Sequence, residues 1–318
     1  MELDIATEKY LRYRLYVQKI SKNTITIERG AFKRFNEFLF VKYSKVLDLD
    51  EITLDDFIEY SEFLTTAEFR RGRKSAKKIN LSHNTQVIHQ QKLRNFFKRC
   101  FISGYMKKDF WEMPIWKFMK NKKISFLSHD EVKKFFELAQ RKKNRITWIR
   151  DELLFRVAYF TGLRRNEILN LTFNQLLSDD QFQIVWKMNR SRTVFFDEES
   201  KIKQLALELR YLYQTKLNLD LNDQDDFVFR STAPQMHGEQ LGRWTIFLIL
   251  QDYKKKLWIQ RRLTLHSFRH TFATTLLENG ANIVEVQTLL WHSCLSSTQI
   301  YTHIPMTKLR QCSQLLHL

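Results

Sequence analysis

Residues 265–305 read Leu265-His266-Ser267-Phe268-Arg269, then HTFATTLLENGANIVEVQTLLWHSCLSSTQIYTHIP. Helical periodicity runs through the first part. His266 and Arg269 stand at i and i+3, a spacing that puts both on one helical face. Ile283–Leu290 forms a short amphipathic helix ending at Trp291-His292-Ser293. The serines that follow suit a helix cap, with Tyr301 one turn inside. Each fragment has a plain reading as well. A His-x-x-Arg pair occurs on the surface of any basic helix, and a tyrosine in apolar context usually belongs to the core.

Upstream lies Thr161-Gly162-Leu163-Arg164-Arg165-Asn166-Glu167-Ile168. Gly162 is expected to close the Trp148–Phe160 helix as a left-handed cap. Arg164 then opens the next short helix, and Glu167, one turn on, can brace an arginine through a charge-assisted bond. The plain reading is a helix–helix turn with exposed arginines. Residues 182–187 (FQIVWK) and 192–196 (RTVFF) flank a short MNRS turn and predict a hairpin. Helical patterns resume over 199–217 and from about 240 to the end.

The first 105 or so residues predict four helices: 6–20, 24–43, about 53–64 and about 84–101. Thr53 with Asp56 has capping-box spacing. Ile27, Ala31, Phe35, Phe38 and Leu39 mark the buried face of the second helix. Val87, Leu93, Phe96 and Phe97 point inward on the fourth, with Lys92, Arg94, Lys98 and Arg99 outward. A basic loop, Arg70 to Lys78, precedes that helix. A second basic stretch, Lys117 to Lys123, runs to Ser128, whose capping box with Glu131 starts the next helix. These features place a domain boundary near residue 124: a helical domain over 1–124 with its linker, and a second domain over 125–318 with a C-terminal tail. In that tail Leu309, Cys312, Leu315 and Leu316 form an apolar stripe that must dock on its own domain or on a neighbouring protomer.

Composition narrows the function. Among 318 residues, Lys+Arg 53 against Asp+Glu 35 gives +18. Both halves are basic, +11 over 1–125 and +7 over 126–318. That distribution suits a protein wrapping a polyanion. Only 7 Gly and 3 Pro favour long helices over a turn-rich β-fold. The N-terminus lacks the apolar segment of a signal peptide, and no run is long enough to span a bilayer. Cys100, Cys294 and Cys312 lack metal spacing and fit reduced thiols in a cytoplasm. No membrane association, metal or cofactor is expected; no metal-ligand constellation or phosphate-cradling glycine loop occurs.

Together, the 265–305 string and TGLRRNEIL upstream resemble the tyrosine recombinase (phage-integrase-like) family, most closely its Xer branch. The likeness is dense over 150–304 and thinner over 1–110. It implies a mainly α two-domain architecture with a small antiparallel β-sheet. By position, the family's first active-site arginine matches Arg164 and its hairpin lysine Lys187, five residues before Arg192. The histidine and arginine of its second box match His266 and Arg269. The later histidine matches His292, and the nucleophile matches Tyr301. The family also implies that Glu167 supports Arg164. Trp291 and Met188 stand where Xer relatives usually carry glycine. The implied partners are double-stranded DNA and a homo-oligomer, a tetramer on paired sites, or a related recombinase subunit. The implied reaction cuts and rejoins DNA through a covalent 3′-phosphotyrosyl link and a four-way junction. The rival readings are a type IB topoisomerase-like enzyme and a catalytically silent DNA-binding relative.

Overall fold

The capping box foreseen at Thr53 forms. Its backbone N–H donates to Asp56 Oδ2 at 2.8 Å, and its hydroxyl accepts from the Asp56 N–H at 3.4 Å. This box opens α3 (Leu54–Thr66), one of four helices among the described residues of the first of two units, Met1–Lys122 and Lys123–Leu318. The computed structural model describes residues 1–70, 78–110, 113, 115–119, 125–186, 190–221, 226–290 and 306–316. The other helices of the first unit are α1 (Leu3–Tyr16), α2 (Lys22–Tyr43) and α4 (His83–Ile102). Their core is aromatic: Phe35 stacks on Phe57 at 5.2 Å, Tyr60 packs on Phe35, Phe97 packs on both, and Phe96 packs on Phe97 at 4.8 Å.

Several local expectations for this unit change. α1 stops at Tyr16, not near residue 20, because Lys19 turns left-handed (φ 50) and Ser21 is already the N-cap of α2. Ile27 faces solvent, while Ile25 is buried. Each i,i+4 step turns 400°, so the stripe drifts and Ile27 leaves the face that Phe35 and Leu39 share. Lys92 turns inward, its Nζ 2.9 Å from Oε1 of fully buried Glu28, which Arg14 also grips at 2.7 Å. Burial alone would raise the Glu28 pKa; these two cations hold it below the ordinary value. The expected basic loop is shorter than 70–78. Arg70 pairs with Lys78 in a hairpin of β1 (Glu68–Arg70) and β2 (Lys78–Asn80), and 71–77 lie outside the described residues. The start of the second basic stretch is tied to α4: Asn84 Oδ1 accepts from the Met119 N–H at 3.0 Å, and a His83 ring nitrogen bonds the Lys117 carbonyl at 2.9 Å.

The second unit begins with α5 (His129–Gln140), opened by the Ser128–Glu131 box. Next comes α6 (Arg145–Thr161), buried on nearly every side. A helix so placed can carry charge only if each charge is met. Asp151 is accordingly held by Arg150 at 2.8 Å and Lys142 at 2.5 Å, and Glu152 by Arg156 at 2.8 Å. α7 (Arg165–Leu169) and α8 (Phe173–Leu177) lead into an antiparallel hairpin, β3 (Gln181–Trp186) and β4 (Arg190–Phe195). Of the expected MNRS turn, Met188 and Asn189 lie outside the described residues, and the other two positions belong to the strand. Arg190 and Ser191 join the ladder opposite Trp186 and Val185, because pairing there satisfies backbone groups that a turn would leave to water.

The helical stretch expected from about 240 onward is interrupted. It comprises α10 (Arg243–Lys256), α11 (Leu265–Glu278), α12 (Ile283–Leu290) and α13 (Met306–Ser313), preceded by α9 (Ile202–Lys216). The tail docks on its own unit. Leu309, Cys312 and Leu316 are buried in its core, Lys308 pairs with Glu285 at 3.1 Å, and Asn279 donates to the Leu315 carbonyl at 2.6 Å. Among the described residues no helix is long and apolar enough to cross a membrane, and no cluster of metal-ligating side chains occurs. The fold is thus mainly α, with a small antiparallel sheet in each unit.

Candidate active site

Gly162 is the hinge of the site. It ends α6 in a left-handed conformation (φ 57), as the sequence leads one to expect. A Cβ there would come within 2.8 Å of Leu290 Cδ2 and Phe272 Cδ1. Three elements therefore meet at one residue: the end of α6, α11 and the end of α12. Gly162→Ala combines an unfavourable φ with overpacking and is expected to destabilise the chain by about 2 kcal/mol or more. A thermal melt checks it, and an unchanged melting temperature would refute the close packing.

The turn delivers Arg164 to the N-cap of α7. Glu167, one turn on, accepts from the Arg164 backbone N–H at 2.8 Å and from Nη1 at 3.0 Å. The carboxylate has a second cation, Arg192 of β4, whose Nη2 lies 2.6 Å from Oε2. Burial by itself would raise the Glu167 pKa. The Arg192 charge, then the bonds and charge of Arg164, hold it below the usual carboxylate value.

Arg269 rises from the second turn of α11 and is 2% exposed. Nη1 donates to the Gly162 carbonyl at 2.7 Å, and Nη2 bonds the Leu290 carbonyl. Burial, then the like charges of Arg164 and Arg192, lower its pKa. That repulsion means an anion entering here would relieve electrostatic strain. His266 stands on the first turn of α11, exposed, its ring edge-on to His270 at 4.8 Å. An open cleft of about 830 Å³ is lined by Arg164, Arg165, Asn166, Glu167, Thr264 and His266, among others.

The structure thus gathers Arg164, Glu167, His266 and Arg269 around the ends of α6, α7 and α11. Lys187, His292 and Tyr301 lie outside the described residues, as do Met188 and Trp291. Sequence reasoning missed one member, Arg192, which it used only to mark the hairpin spacing. No local signal marks it: Arg190 stands two positions earlier in the same strand, and the sequence RSRTVFF does not set one arginine apart from the other.

Guanidiniums braced around a carboxylate beside an open cleft, in a mainly helical two-unit chain, have the charge and donor geometry that suit a phosphate-like anion. Comparison with known proteins makes this specific. Residues 125–308 match the phage integrase family, and residues 6–124 match the phage integrase SAM-like domain. This chain belongs to the phage integrase family, the tyrosine recombinases. Among its relatives, the tyrosine recombinase XerC of Leptospira interrogans is 28% identical over 317 residues, covering 99% of this chain and 94% of that one. The tyrosine recombinase XerD of Lacticaseibacillus casei is 34% identical over 219 residues, 67% of this chain and 69% of that one. Two solved structures share the fold. One is a lambda integrase (75-356) dimer bound to a COC' core site, with TM-score 0.67, 16% identity and coverage of 96% and 100%. The other is XerH bound to palindromic difH substrate in a post-cleavage complex, with TM-score 0.66, 20% identity and coverage of 97% and 83%.

Proposed function

We propose that this chain is a site-specific recombinase that cuts and rejoins duplex DNA, with Tyr301 as its nucleophile. The observation that carries this reading is the braced set Arg164–Glu167–Arg192 beside buried Arg269, in a phage integrase family member. Attack by the Tyr301 oxygen on a backbone phosphate builds a pentacoordinate phosphorane with extra negative charge. Arg164 and Arg269 hold its non-bridging oxygens, and His292 donates to them. His266 takes the phenolic proton, for which exposure at the cleft suits it. Lys187 gives a proton to the departing 5′ oxygen, leaving a free 5′-hydroxyl and a 3′-phosphate esterified to Tyr301. Attack by a 5′-hydroxyl from a partner strand reverses these steps and reseals the DNA.

Residues 1–124 serve as the clamp on duplex DNA and its linker, and 125–318 as the catalytic domain, the excess of basic residues in each half meeting the phosphates. We place the protein in the cytoplasm, acting as a tetramer on two paired sites or alongside a related subunit. The relatives named tyrosine recombinases favour strand exchange over simple relaxation. The test uses a duplex recovered from a randomised library by its binding to the chain. Two copies of it, incubated with the protein, should yield four-way junctions and exchanged strands. Nicking and resealing with no junction would assign a topoisomerase-like activity instead.

A further inference from the structure

Arg192 faces Ile184 across the β3–β4 ladder, yet its guanidinium serves two other elements. Nη2 meets Glu167 at 2.6 Å, and Nη1 donates to the Leu289 carbonyl, in the last turn of α12, at 2.7 Å. The residue is 8% exposed, and its Nε has no hydrogen-bond partner among the described residues. A guanidinium taken out of water is costly unless its charge and donors are met, and an apolar side chain of like volume would fill the space at less cost. So a buried arginine here is a poor choice for stability alone.

Its position suggests what it does instead. Glu167 is itself largely buried, with its side chain 14% exposed, and it holds the 26%-exposed Arg164 at the cleft. With Arg164 as its only cation, the carboxylate could swing with that side chain. Arg192 pins the other oxygen. The Leu289 bond in turn pins Arg192 to the carbonyl end of α12, where backbone acceptors lack partners and the helix dipole favours a cation. Arg269 bonds the next carbonyl, that of Leu290. Two guanidiniums thus seize consecutive carbonyls at one helix end, and one of them carries the brace on to Arg164.

We propose that Arg192 is a positioning residue for DNA cleavage, acting through Glu167 to hold Arg164 at the cleft and tying that brace to the end of α12. This rests on the recombinase reading above. It predicts that Arg192 governs the rate of cleavage by bound enzyme more than it governs DNA affinity.

The test is single-turnover formation of the covalent adduct on a nicked duplex of the library-selected sequence, at saturating protein and well below each variant's melting temperature, with affinity measured separately. Arg192→Met should bind within about twofold of wild type and cleave about tenfold more slowly, the scale of coupling within one ion-pair network. The double variant Glu167→Gln/Arg192→Met should be no slower than the slower single variant, because both act on Arg164 by one route. A purely structural arginine would lower the melting temperature and leave the rate per bound enzyme unchanged. That result, or losses that multiply in the double variant, overturns the proposal. Should Arg192→Met fail to fold, Arg192→Lys decides. It keeps the charge but cannot offer a planar fork to both partners, so its rate should be intermediate; a wild-type rate overturns the proposal. A wild-type chain that forms no adduct overturns the recombinase reading itself, and this inference with it.

Discussion

Tyr301→Phe is expected to abolish covalent capture of DNA while leaving folding and DNA binding intact. The change removes one oxygen atom and keeps the ring, so packing is nearly preserved. Chemistry, by contrast, has no substitute. A phenol with a reference pKa of about 10 becomes a nucleophile only where a base and cations favour its ionised form. A phenyl ring offers nothing to attack phosphorus. The loss should be on the order of 10⁴-fold or more, as befits removal of a nucleophile. Denaturing gels read the adduct, and a mobility shift on the same duplex reads binding. An adduct at full yield from the Phe variant would show that another residue attacks.

The two arginines should separate in an informative way. Arg164→Ala removes a guanidinium at the cleft but leaves Glu167 paired with Arg192. Stability should change little, while cleavage falls by about 10²–10³, the usual cost of one donor to a charged transition state. Arg269→Ala should lose at least as much activity and also lower the melting temperature. It strips the donors from two carbonyls, those of Gly162 and Leu290, and each unsatisfied buried acceptor costs about 1–3 kcal/mol. Lysine at either position should rescue poorly, since an ammonium lacks the planar fork. Cleavage rates and thermal melts on the four variants check this. Full activity of Arg269→Lys would argue against a bidentate grip.

How much of this the chain discloses in advance depends on the range of the interaction. Short-range signals read well. The Thr53–Asp56 and Ser128–Glu131 boxes and the left-handed Gly162 follow from residues within one turn of each other, and all three form. The likeness to tyrosine recombinases rests on ordered motifs and carries the family. Long-range pairings read poorly. Nothing near Lys92 says that its partner, Glu28, lies 64 positions away in a buried pocket. Nothing beside Arg192 points to Glu167 or to the Leu289 carbonyl. The drift that exposes Ile27 depends on the phase of the whole α2 face, and the ends of the β3–β4 hairpin depend on ladder register, not on turn composition. At the candidate site, Arg164, His266 and Arg269 could be picked out because each has a local motif. Arg192 could not, because its role is defined only by what it touches.

The most direct measurement of the central claim is the mass of the protein–DNA link. Adduct formed on the selected nicked duplex is digested with trypsin and nuclease, and the modified peptide is sequenced by fragmentation. This account predicts a nucleotide phosphate on Tyr301, joined through the 3′ phosphate, with the released strand ending in a 5′-hydroxyl. A phosphate carried on any other side chain, or a link through the 5′ phosphate, would contradict it.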